Sequence, residues 1–65
     1  MNEIEYTIAI ETKNGCLDYL IINLPENEEL TDEIVLEQFD LYKNDEAGEH
    51  LKDDELTAWG LVRKD

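Results

Sequence analysis

One histidine, one cysteine and eighteen carboxylates are the side chains of this chain with the most capacity for chemistry. Nucleophilic catalysis needs a nucleophile, a base within hydrogen-bond reach and a group that orients the base. His50 stands in an acidic polar stretch with no serine, cysteine or threonine near it in sequence, and the chain has no serine at all. Its expected state is solvated. Cys16 follows a turn and has only Lys13 as a basic neighbour, which fits packing at a strand edge.

The carboxylates are too many for any one pair to stand out as an acid/base couple. Calcium, which takes carboxylate and carbonyl oxygens, is the metal worth testing. Placing Gly48 at the sixth position of an EF-hand loop puts Lys43 first and Ala47 fifth, and neither can ligate, so that match fails. An irregular weak site from Asp45, Glu46, Glu49, Asp53 and Asp54 is the residual metal reading. No metal or cofactor is assigned, and a glycine-rich phosphate loop is absent from the sequence. The expectation is a protein that binds and does not catalyse.

The elements that must position these groups can be read from the pattern. Residues 3–12 alternate, with Ile4, Tyr6, Ile8 and Ile10 on one side, as a half-buried strand does. Asn14-Gly15 is a strong hairpin signal, and a second β-rich run from Cys16 to Leu24 stops at Pro25, which cannot donate to a ladder. A two-residue turn at Asn14-Gly15 pairs Thr12 with Leu17, Ile10 with Tyr19, Ile8 with Ile21 and Tyr6 with Asn23. That register makes these residues the core face. It leaves Leu20, Ile22 and Leu24 as an apolar stripe on the far face and sets Glu11 against Asp18. One helix covers only one sheet face, so the stripe is expected to be open or covered by the C-terminal segment.

Thr31 is a suitable N-cap with Asp32 and Glu33 in the first turn. Ile34, Val35, Gln38, Phe39 and Tyr42 then share one face, predicting a helix at about 31–43. Residues 44–54 read as a polar connection with Leu51 as an anchor. In 55–64 the alternation of Leu56, Ala58, Gly60 and Val62 suits a third strand, while Leu56, Trp59 and Val62 or Arg63 also fit a helical turn or two; Gly60 weakens the helix more, so the strand is the favoured reading. The expected fold is a single α+β domain over 1–65: β-hairpin, helix and third strand, ββαβ, with an antiparallel sheet. A chain of this length supports one small core of marginal stability.

Charge is the dominant feature. Eighteen Asp and Glu face five Lys and Arg, a formal net charge of −13, while 42% of residues are hydrophobic and patterned, which separates the chain from disordered acidic tails. Such an imbalance repels nucleic acid and anionic membranes and attracts basic surfaces. The apolar run Tyr19–Ile22 is far too short to span a bilayer. The start Met1-Asn2-Glu3 lacks a secretion signal's features, and one cysteine permits no internal disulfide. A cytoplasmic location is expected.

Thirteen of the carboxylates lie between Glu26 and Glu55, against Lys43 and Lys52 alone. Glu33, Glu37 and Asp40 fall at i, i+4 and i+7 on the helix's solvent side. Together with Asp45, Glu46, Glu49, Asp53, Asp54 and Glu55 they form the expected partner-binding surface, directed at a basic protein such as one that handles nucleic acid. A merely solubilising face is the plainer reading, although a net charge of about 2–8 suffices for solubility. A different class of function is self-association as a homodimer through Leu20, Ile22 and Leu24.

In size, charge and hairpin-helix layout the chain resembles the small acidic inhibitors encoded by bacteriophages, among them DNA-mimicking antirestriction proteins and anti-CRISPR proteins. The resemblance rests on overall character and no motif, so it transfers no functional residue. It implies a mechanism in which an acidic face occupies and blocks a groove meant for DNA or RNA in the host cytoplasm.

Overall fold

A computed structural model describes residues 2–65. Strand β1 (Glu3–Thr12) is the centre of a three-stranded antiparallel sheet of order β2-β1-β3, with β2 at Leu17–Pro25 and β3 at Leu56–Lys64. Helix α1 (Asp32–Lys43) covers one face, and a 3-10 segment (Glu46–Leu51) follows it. The architecture is α+β in the order expected.

The hairpin corrects the expected register by one residue. Its loop holds three residues, Lys13-Asn14-Gly15: the Thr12 N–H donates to Cys16 O at 3.0 Å and the Gly15 N–H to Thr12 O at 2.9 Å. A two-residue type I′ turn needs positive φ at both Asn14 and Gly15. Here only Gly15 has it, at 84°. That is the three-residue alternative, a turn completed by a left-handed glycine.

Side chains alternate with period two, so a slip of one residue exchanges the faces of β2. Ile8 faces Leu20, Tyr6 faces Ile22 and Ile4 faces Leu24. Leu20, Ile22 and Leu24, expected as an exposed stripe, are therefore core residues only 5%, 1% and 8% exposed. Leu17, Tyr19 and Ile21 are exposed instead. The observed pairing is the one that buries Leu24 and leaves Asn23 in solvent, avoiding the cost of a buried amide. It also relieves the expected Glu11–Asp18 repulsion, since Glu11 now faces Leu17.

Val35 and Phe39 of α1 close the core over Tyr6, Ile8 and Ile10, and Leu51 plugs it from the 3-10 segment. The helix starts as its sequence predicts: Thr31 is extended, and its hydroxyl accepts from the Ile34 N–H at 3.3 Å. The 3-10 segment lies within the polar connection expected over 44–54. It lies so close to the helix end that a Cβ on Gly48 would collide with the Tyr42 carbonyl oxygen.

Strand β3 pairs with β1 and does not cover the open sheet face. Its register with β1 shifts twice, leaving Thr57 and Val62 as extra residues. Trp59 ties it to the helix start, with Nε1 donating to Asp32 Oδ1 at 2.7 Å. No helix among the described residues is long and apolar enough to cross a membrane.

Candidate interaction surfaces

Helix α1 buries Val35 and Phe39, which turns Glu33, Glu37 and Asp40 outward into solvent. Residues at this spacing stand about 5–6 Å apart at Cβ. Asp40 lies 3.7 Å from the Lys43 ammonium. Glu33 and Glu37 enter no ion pair among the described residues.

The 44–55 region divides. Asp45 caps the 3-10 segment, its Oδ1 accepting from the Glu46 N–H at 2.7 Å. Glu46, Glu49 and Asp53 are exposed and unpaired among the described residues, and Glu55 sits 4.0 Å from Lys13. Asp54 departs from the expectation. It is 4% exposed and cannot meet a partner. Its Oδ1 accepts from the Asn14 and Glu55 N–H groups at 3.1 and 2.9 Å, fastening the hairpin turn to the start of β3. The Thr12 hydrogen bond is the largest influence on its carboxyl and lowers its pKa. Desolvation opposes this, and bonds from Glu55, Asn14 and Cys16 lower it further, so it stays below the ordinary carboxylate value.

The chain's cations hardly offset this surface. Lys43 donates to the Asp54 carbonyl and lies over the Phe39 ring, Lys64 lies over Tyr6, and Arg63 bonds Asp65. Lys52 enters no ion pair among the described residues. No three of His, Cys, Asp and Glu among the described residues converge to hold a metal ion. Asp45 is a cap, Glu46, Glu49 and Asp53 are three exposed side chains, and Asp54 is a buried brace.

A cluster that sequence reasoning missed joins three elements. Asp18 Oδ2 lies 3.1 Å from His50 Nε2 and accepts from the Tyr42 hydroxyl at 3.1 Å. Burial first, then the Asp18 bond and charge, pushes the Tyr42 hydroxyl above its ordinary pKa. His50 is exposed, as expected of a solvated side chain, and in addition bridges the 3-10 segment to β2. Only the register could have revealed it, because the expected pairing put Asp18 on the opposite face.

The uncovered sheet face carries Leu17, Tyr19 and Ile21 from β2, beside Thr7 and Ala9 of β1 and Ala58 and Gly60 of β3. Along the outer edge of β2, a groove of about 390 Å³ runs between Tyr19 to Ile21 and the helix residues Gln38, Leu41 and Tyr42, with Asp45 at its border. No family model matches the chain, and no curated protein or solved structure matches it either.

Proposed function

We propose that this chain is a non-catalytic inhibitor that docks its acidic surface on the cationic groove of a DNA- or RNA-handling protein in the cytoplasm, where it takes the place of nucleic acid. The observation that carries the reading is the exposed row Glu33, Glu37 and Asp40 on a helix anchored by the buried Val35 and Phe39, in which only Asp40 has a cation nearby, the Lys43 ammonium at 3.7 Å. Each strand of duplex DNA presents one phosphate per roughly 3.4 Å of axis. Carboxylates about 5–6 Å apart at Cβ approach that density. Glu46, Glu49, Asp53 and Glu55 extend the negative potential beyond the helix. Asp54 belongs to the scaffold that holds them.

Net charge supports the same partner. A chain at −13 is repelled by nucleic acid and drawn to lysine- and arginine-rich clefts, with association steered over about one Debye length of roughly 8 Å at physiological ionic strength. Affinity capture from a host-cell lysate at low and high salt tests the reading when run beside the Glu33→Lys/Glu37→Lys/Asp40→Lys variant. Salt-sensitive capture of nucleic-acid-binding proteins by the parent chain, lost in the folded variant, is the expected result. Undiminished capture by the variant would remove the helix row from the mechanism.

A further inference from the structure

The two edges of the sheet are defended unequally. Exposed edge strands invite pairing with other chains, and proteins blunt them with bulges, charges and proline. Strand β3 has two register shifts and ends in Arg63 and Lys64. Strand β2 has Asp18 near its start and Pro25 at its end, but Tyr19 to Asn23 run without a charge, a bulge or a proline.

Its outward backbone groups can be identified. The Thr12 N–H bonds Cys16 O, and the Glu26 N–H bonds Asn2 O. In an antiparallel ladder bonded and non-bonded pairs alternate, so the even-numbered residues of β2 face β1 and Leu17, Tyr19, Ile21 and Asn23 aim their backbone groups outward. The Tyr19 N–H is occupied by Asp18 Oδ1 at 2.8 Å. Ile21 and Asn23 make no backbone bond outside the sheet among the described residues.

We propose that the β2 edge receives an extended cationic segment of a partner protein as a fourth strand, centred on Ile21 and Asn23. Both faces of such a strand would find matching surface. On the open face its apolar side chains continue the row of Tyr19 and Ile21, which are 63% and 61% exposed. On the helix side its residues enter the groove, where lysine or arginine stems lie along Leu41 and Tyr42 and their charges reach Asp45. Main-chain bonds supply affinity in this mode, and alternate side chains supply specificity.

Charge selects the occupant. Asp45 is the one acidic residue that lines the groove among the described residues, and Lys43 is turned to the Asp54 carbonyl. A second copy would join two chains of net charge −13 and bring two sets of helix carboxylates towards one another. The inference shares with the proposed function the sign of the partner's charge. It adds a second place and a different mode of contact, because the helix row points outward from α1.

The test uses the full chain and a short acetylated peptide alternating valine and lysine. Controls are the same peptide with glutamate for lysine and a version with alternate peptide nitrogens methylated. Amide hydrogen exchange is followed residue by residue. The expected result is saturable protection of the Ile21 and Asn23 amides, which exchange directly in the free chain and slow by about tenfold or more once each N–H is bonded to the peptide. It should be weakened in Leu41→Lys, absent with both control peptides and retained in the Glu33→Lys/Glu37→Lys/Asp40→Lys variant.

No protection at Ile21 and Asn23 at saturating peptide, or equal protection by either control, overturns the inference. So does protection that grows with protein concentration alone, which would assign the edge to a second copy. Peptide shifts confined to the helix row and lost in the triple variant would also overturn it, while leaving the proposed function in place.

Discussion

Ile8 stands directly opposite Leu20 in the β1–β2 ladder, and this pairing decides which side of β2 is core. Both side chains are buried, at 0% and 5% exposure, while the neighbouring Ile21 stays in solvent. The same register carries Asp18 to the helix side, where Tyr42 and His50 meet it.

Substitution at two adjacent isoleucines tests that register. Ile22→Val should cost about 0.5–1.5 kcal/mol and Ile22→Ala about 2–5 kcal/mol, as large-to-small changes in cores do. Ile21→Ala should stay within about 0.5 kcal/mol, as surface changes do. Urea denaturation gives both values. A larger loss at Ile21 than at Ile22 would restore the two-residue turn.

Gly48→Ala should destabilise the protein by about 1–3 kcal/mol, the usual cost of overpacking, because its methyl group would press on the Tyr42 carbonyl. The 3-10 segment should lift and His50 should lose Asp18, visible as a shift of its ring signals in NMR. Gly60→Ala has open space at the same test position and should fold normally. An undisturbed His50 in Gly48→Ala would show that this close approach is not a real constraint.

Asp54 gives a pH dependence of defined sign. Its folded pKa is depressed below the ordinary 3.8, chiefly by the Thr12 bond. The ionised form therefore stabilises the fold above the unfolded pKa, and this contribution is lost as pH falls through the folded pKa. Stability of the parent chain minus that of Asp54→Asn should be constant near neutrality and shrink below about pH 4. Taking the difference removes what the other carboxylates contribute in common. A difference that widens on acidification would contradict the bonding described.

Self-repulsion should be measurable in the melting temperature. Moderate sodium chloride screens exposed charges beyond about one Debye length, and each kcal/mol of relieved repulsion corresponds to about 4–8 °C in a domain of this size. The melting temperature should rise with salt, and by less in Glu33→Gln/Glu37→Gln. A midpoint that does not move with salt would mean that the carboxylates are too dispersed to strain the fold.

Helix α1 was legible because its signals agree: a Thr31 cap, acidic residues in the first turn and a core face through Val35 and Phe39. Strand β1 was legible from strict alternation. Strand β2 was not, because both of its faces are largely apolar, Leu20, Ile22 and Leu24 on one and Leu17, Tyr19 and Ile21 on the other, and Asn14-Gly15 suits two loop lengths. That one ambiguity misplaced Leu20, Ile22 and Leu24 and concealed the Asp18 cluster. The outward carboxylates of α1 followed from helical period alone. The inward turn of Asp54 did not, since it depends on the Asn14 N–H, 40 residues away in the chain.

The most direct test of the central claim is competition on a captured partner. Labelled nucleic acid is bound to that partner, and this chain is titrated in at several salt concentrations. Mutually exclusive binding, with displacement that weakens steeply as salt rises and fails for Glu33→Lys/Glu37→Lys/Asp40→Lys, is the predicted result. A stable ternary complex of partner, nucleic acid and this chain would contradict it.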